Sequence, residues 1–193
     1  YIAAGTLSGY KRYSEDRLTA LVQRLSEEIR QKNGAMLLGL VCDSVYATAA
    51  TRAGGMEVKC DSELLRDQNA DVLLWMEQSY FDIVFVTADT TTASSDMPFE
   101  TVVDWWSKNT PASCDLGFML SSDLAMAGKD QWKNPDQLTR QLMALNQSNR
   151  YVFCFNSYAA LKNDTSGGAK LLYKYLTGGI ADDYVLTDLT FTS

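Results

Sequence analysis

The chain has 193 residues, of which 46% are hydrophobic and 21% are charged, a composition and length that suit one globular domain over residues 1–193. Its net charge of −7 argues against a nucleic-acid surface, which needs clustered Lys and Arg, and against binding to an anionic membrane. Histidine is absent, which excludes Ser-His-Asp and Cys-His nucleophile systems and His-ligated zinc within this chain. The longest apolar run, residues 35–42, is too short to span a bilayer.

The first predicted element is an amphipathic helix that begins near Ser14 and ends at Asn33-Gly34, a helix stop. Its apolar residues recur with the 3, 4, 7 spacing of one helix face. They are Leu18, Leu21, Val22, Leu25 and Ile29.

The apolar runs that follow this helix predict strands. They lie at residues 35–42, 56–60, 71–76, 81–88, 116–120 and 151–155. Several are apolar at consecutive positions, which is typical of strands with both faces buried in a layered α/β sheet. The last residues, 183–193, alternate instead and predict a half-buried final strand.

Helices are predicted between these strands, at residues 98–109, 134–146 and 166–179. The second opens on Asn134-Pro135, an N-cap residue followed by Pro at the first helical position. Strands that alternate with helices favour a three-layer α/β fold with a central, mostly parallel sheet. The alternative is an α+β domain in which residues 35–53 form one buried helix, since period alone does not separate the two for a short apolar run.

The triplet Cys-Asp-Ser occurs twice, beginning at Cys42 and at Cys60. Each copy ends an apolar run and precedes a helical pattern, so that Asp or Ser is expected to cap a helix. If the two strands are neighbours, their ends lie within reach of a disulfide. We therefore predict a Cys42–Cys60 bridge, with Cys114 and Cys154 either bridged to each other or buried as free thiols.

The even number of cysteines is compatible with an exported protein. The chain begins with Tyr1 rather than Met, which we interpret as a processed or trimmed chain whose upstream residues would carry any export signal or anchor. We expect a periplasmic or secreted location.

Three carboxylates follow predicted strands, at Asp43, Asp89 and Asp123. The carboxyl ends of parallel strands share one edge of a sheet, where α/β proteins bind ligands. A convergence of the three would suit Mg²⁺ and a hydrolase or phosphoryl-transfer enzyme. Asp, Ser and Thr at such positions also cap helices and form turns, and we favour that interpretation.

Trp105 and Trp106 are adjacent on a predicted helix and therefore point in directions about 100° apart, so at most one faces the core squarely. The other, together with Asp104, is a candidate partner surface, because tryptophan is enriched at binding sites. The leading hypothesis is a non-catalytic binding protein whose partner is another protein and which needs no cofactor. A carbohydrate-binding module that uses Trp105 or Trp106 is a further alternative.

Overall fold

The fold is seen in a computed structural model that describes residues 7–150 and 152–179. The strands are β1 (Gly39–Cys42), β2 (Ile83–Ala88), β3 (Asp115–Ser121) and β4 (Phe153–Asn156). The α-helices are α1 (Leu7–Lys32), α2 (Leu64–Asp67), α3 (Val72–Glu77), α4 (Phe99–Asn109), α5 (Ser122–Ala127), α6 (Gln137–Gln147), α7 (Tyr158–Lys162) and α8 (Gly168–Leu176). A short 3₁₀-helix, Asp130–Trp132, lies between α5 and α6.

The four strands are all parallel and lie in the order β1-β2-β3-β4, so that each strand pairs with the next one along the chain. Helices flank this central sheet. The α/β prediction is confirmed, and the arrangement is consistent with a three-layer fold. The α+β alternative is wrong, because residues 35–53 contain β1 and then a loop in which Thr48 bridges to Met56.

Residues 71–76 form most of a helix and not the predicted strand. The Asp71 side chain accepts a hydrogen bond from the backbone N–H of Leu74 at 3.2 Å and so caps the first turn of α3. Trp75 and Met76 are buried in the core. An apolar run of six residues is compatible with both the helical and the strand periodicity of apolar residues. The carboxylate that caps its start favours the helix.

Two further local predictions are wrong. Residues 56–60 form no strand, since only Met56 takes part in a bridge. The pattern after Cys42 forms a loop and not a helix, and the pattern after Cys60 gives only the four residues of α2, whose N-cap residue is Glu63. The strand predicted over 183–193 lies outside the described residues.

The sheet has two unequally buried faces. What we call the first face is fully buried along β2 and β3, where five side chains have no exposed surface: Val84, Val86, Ala88, Phe118 and Leu120. On the edge strands, Leu40, Phe153 and Phe155 of the same face are half-buried. Helix α4 packs on this face through Phe99, whose ring lies 6.3 Å from that of Phe118. The opposite side chains form what we call the second face and are exposed or half-buried: Val41, Ile83, Phe85, Met119, Val152 and Cys154. Cover over the second face is therefore incomplete within the described residues.

Asp82 joins the end of α1 to the start of β2. Its carboxylate accepts the backbone N–H of Leu38 at 2.6 Å and the Nη2 group of Arg30 at 3.1 Å. These two donors hold the pKa of Asp82 below its ordinary value. A carboxyl group whose pKa is lowered by folding contributes stability above its unfolded pKa, and that stability is lost as the pH falls through the folded pKa.

The variant Asp82→Asn is therefore expected to lower the free energy of unfolding by about 1–2 kcal/mol at neutral pH, because it loses a charged acceptor. The difference from wild type should shrink as the pH falls below about 4, the ordinary range of the Asp pKa. Urea titrations at a series of pH values measure both effects.

Asp96→Asn is the matched control. Its ion pair with Lys59, at 3.6 Å, is exposed on both sides, and such pairs contribute little to stability. A similar loss of stability in both variants, or a loss in Asp82→Asn that does not depend on pH, would contradict this account of Asp82.

Candidate functional site

The carboxyl edge of the sheet carries a small network of serines and carboxylates. Ser121 Oγ donates to Asp89 Oδ1. Ser157 Oγ donates to Asp123 Oδ1 at 2.9 Å, and Ser122 Oγ donates to the carbonyl of Ser157 at 2.8 Å. Two of the three carboxylates predicted from strand ends thus lie along the same edge, each with a serine partner.

The third carboxylate, Asp43, accepts a hydrogen bond from Gln68 Nε2 at 2.5 Å. Within the described part of the chain, no group of three His, Cys, Asp or Glu side chains is placed so that it could hold a metal ion. The structure does not assemble Asp43, Asp89 and Asp123 into the cation site considered from the sequence. Each of these bonds joins side chains 25 or more positions apart in the sequence, so none of them is the helix cap or turn that we favoured.

The two tryptophans fasten the loop after β1 onto α4. Trp106 is fully buried, and its Nε1–H donates to the carbonyl of Ser44 at 2.7 Å. Trp105 donates to the carbonyl of Gly54 at 2.9 Å and stacks on Tyr46, with ring centroids 5.7 Å apart.

This arrangement removes Trp106 from the predicted binding surface, while the binding role of Trp105 and Asp104 stays a prediction. Trp106 contacts no solvent, so it is not available to a partner or a sugar ring. Trp105 is half-buried and covered by the loop, and only Asp104 of the three candidates is exposed. Sequence spacing alone does not show which residues cover the second tryptophan.

All four cysteines are free in the structure. The predicted Cys42–Cys60 bridge does not form, because residues 56–60 are not a strand and the neighbour of Cys42 in the sheet is Val86 of β2. Burial raises the pKa of the Cys42 thiol to about 12 and that of Cys114 to about 11. Burial also raises the pKa of Cys60 and Cys154. A raised thiol pKa disfavours the reactive thiolate.

A buried carboxylate that the sequence reasoning missed lies at Glu63, which is 1% exposed. It accepts Thr48 Oγ1 at 2.9 Å, Thr51 Oγ1 at 2.7 Å and Arg66 Nη1 at 3.1 Å. A cavity of about 450 Å³ opens beside it. Both carboxylate oxygens are engaged, so Glu63 joins the loop after β1 to α2 instead of facing a ligand in the cavity.

The second face of the sheet is an apolar feature left partly open. Val41 is 52% exposed and Val152 is 42% exposed. The side chains of this face neither belong to the buried core nor pack against it, whereas Leu40, Phe153 and Phe155 on the first face do. Parallel sheets normally have both faces covered, whereas in the described residues this face is only partly covered.

The centre of the second face is flat. A Cβ atom at Gly117 would lie 2.5 Å from Cε1 of Phe85 and 3.1 Å from Cγ1 of Val152. The Phe85 ring therefore lies over the glycine, in a place where no larger side chain fits. The glycine within the apolar run 116–120 is the one sequence signal for this close approach.

Acidic side chains mark the two ends of the second face. Asp115 begins β3, and Asp89 follows β2; both are exposed, and both continue the alternation of this face. The four strands contain no Lys or Arg. Arg150, near the amino end of β4, donates to Oγ of Ser107 at 3.0 Å and is thereby held towards α4. The second face is thus apolar in its middle, carries the polar residues Thr87, Ser121 and Asn156 towards its carboxyl end, and has an acid at each end.

Comparison with known protein families and with curated proteins found no match for this chain. No helix within residues 7–150 and 152–179 combines the length and the apolar character needed to cross a membrane.

The buried position of Glu63 generates a prediction that separates a structural carboxylate from a catalytic one. In Glu63→Gln, an amide N–H₂ group replaces one carboxylate oxygen. In the wild type that oxygen accepts a hydrogen bond from a hydroxyl or guanidinium group. We expect the free energy of unfolding to fall by about 2 kcal/mol. Denaturant titration measures the change.

Glu57→Gln is the control, since Glu57 is exposed and its replacement should change stability by less than about 0.5 kcal/mol. A catalytic carboxylate held at a cost to the fold would give the opposite result, because its replacement leaves stability unchanged or raises it.

Proposed function

We propose that this chain is a non-catalytic interaction module that binds another protein through the second face of its sheet. The observation that carries the proposal is the unequal burial of the two faces: Val84 and Val86 have no exposed surface, while Val41 and Val152 are about half exposed. Burying apolar surface is the main driving force of protein association. A half-exposed apolar sheet face supplies such apolar surface in an already folded conformation.

The shape of the face favours a helix as the bound element. Four strands about 4.8 Å apart give a width of about 19 Å, and strands of four to seven residues give a length of about 13–23 Å. A helix is about 10–12 Å across. Helices are also the elements that normally complete the layer over a parallel sheet.

The acids at the ends of the face favour a partner with basic residues beside its apolar stripe. Asp89 and Asp115 would steer such a partner and disfavour an acidic one. The network of Asp123, Ser122 and Ser157 lies at the carboxyl edge and is held by hydrogen bonds within the chain; the proposed surface does not include it. The exported location stays a prediction.

A photo-activated cross-linking residue placed at Val41 or at Val152 tests the proposal in the cells that make the protein. We expect both positions to give an adduct with the same partner protein. A charge on the face should abolish it, so Val41→Glu combined with the cross-linker at Val152 should lose the adduct. Val41 is half exposed, and the change should alter stability by less than about 0.5 kcal/mol.

Tyr173 on α8 is the control position, because it is 68% exposed and does not lie on the sheet. Adducts that form equally well from Tyr173, or face adducts that persist in the Val41→Glu background, would contradict a docking role for the second face.

A further inference from the structure

We propose that Asn33 and Gly34, in the link between α1 and β1, form a site of spontaneous covalent modification, at which the side-chain amide of Asn33 is lost as ammonia and the residue becomes aspartate or isoaspartate. Asn-Gly occurs once in the chain. The inference goes beyond the binding role of the second face and does not depend on it.

The fold does not require a glycine at position 34. A glycine just after a helix usually serves as a left-handed cap, but the φ angle of Gly34 is not positive. A Cβ atom at Gly34 would lie 3.6 Å from the carbonyl oxygen of Arg30, which is an ordinary contact. What glycine does provide is a backbone nitrogen that no side chain shields.

The backbone nitrogen of Gly34 is open to water. Asn33 and Gly34 are both exposed. Within the described residues, the N–H of Gly34 donates no hydrogen bond, whereas the N–H of Asn33 donates to the carbonyl of Ile29 at 2.9 Å and that of Met36 donates to the carbonyl of Asn33 at 3.1 Å. Hydroxide can therefore remove the amide proton of Gly34, the step that makes its nitrogen a nucleophile.

A hydrogen bond holds the side chain of Asn33 over the same turn. Its Oδ1 accepts the backbone N–H of Ala35 at 3.1 Å, in the side-chain turn that asparagine often forms with the residue two positions on. The ring closed by this bond contains both Cγ of Asn33 and the nitrogen of Gly34, which are the two atoms that must join. The donated proton also draws electrons from the side-chain carbonyl and makes Cγ a better electrophile.

The reaction needs only water. The nitrogen of Gly34 loses its proton and forms a bond to Cγ of Asn33, while the bond from Cγ to Nδ2 breaks and releases ammonia. The product is a five-membered succinimide ring, and water then opens one of its two C–N bonds. Opening at Cγ gives aspartate. Opening at the main-chain carbonyl gives isoaspartate, in which the main chain runs through the former side chain. Nothing is oxidised or reduced.

Both products place a carboxylate where the fold does not favour one. The end of α1 is the negative end of the helix dipole. Arg30 lies one turn before Asn33 on the same side of the helix, and its guanidinium donates to Asp82 at 3.1 Å. The new carboxylate competes with Asp82 for Arg30 and so loosens the joint between α1 and β2. Isoaspartate also lengthens the main chain by one carbon atom.

Timed incubation of the purified protein at mildly alkaline pH, followed by peptide mass spectrometry, tests the site. We expect conversion at Asn33 with isoaspartate as one product, at a rate that rises with pH because the nitrogen of Gly34 must lose its proton. Asn109 is the internal control, since it is also exposed at the end of a helix. It is followed by Thr110, whose N–H is bonded to the carbonyl of Trp106 at 2.9 Å and is shielded by a branched side chain.

The variant Gly34→Ala tests the role of the glycine. We expect its Asn33 to convert at least tenfold more slowly than that of wild type, and we expect it to unfold at a urea concentration no lower than wild type. The inference is overturned if Asn33 stays intact, if Asn109 converts as quickly, if isoaspartate is absent from the products, or if the rate is unchanged in Gly34→Ala.

Amide hydrogen exchange at Leu38 tests the consequence for the fold, because its N–H donates to Asp82 at 2.6 Å. Protein converted at Asn33 carries an added negative charge and can be separated by ion exchange. In the converted protein we expect exchange at Leu38 to be several-fold faster than before incubation. Gly34→Ala incubated for the same time is the matched control and should keep the slow exchange. Unchanged exchange in the converted protein would overturn the proposed loosening of the joint.

Discussion

The rest of this structure depends on one constraint: the chain crosses its sheet in a single direction, from β1 to β4. Each strand pairs in parallel with the next, so every crossover moves the chain the same way. Crossovers between parallel strands are right-handed in nearly all proteins, and right-handed crossovers that advance in one direction lie over the same face. The helices between β1 and β4 therefore bury the first face, as the fully buried Val84, Val86 and Phe118 show. Within the described residues, the second face is the less buried of the two.

The same constraint explains why residues with functional appearance turned out to be structural. The first face and its helices form the one large apolar interior of the described residues, and Trp106 is drawn into it. The loop after β1 then has to lie across α4, where Tyr46 stacks on Trp105. A loop held in this way brings Thr48 and Thr51 to Glu63, whose buried carboxylate needs such donors. The tryptophans thus bond to backbone carbonyls of this loop, and Glu63 bonds to its hydroxyl groups.

Much of the fold was predictable, because long helices and β-rich apolar runs carry strong signals. Residues 81–88, 98–109 and 134–146 contain or closely match the observed elements. The errors fall where an apolar run is short. Residues 71–76 fit both a helix and a strand, and only the structure shows that Asp71 caps a helical turn there. The second face was missed for a different reason. Apolar residues at consecutive positions of β2 show that both faces tolerate burial, but only strand order shows which face receives helices.

When no partner is bound, the second face exposes apolar surface to water. Two features of the chain limit the effect of this exposure. The Phe85 ring lies flat over Gly117, which reduces the apolar area presented to water. Asp89 and Asp115 place a negative charge at each end, and most of this acidic protein is repelled by them.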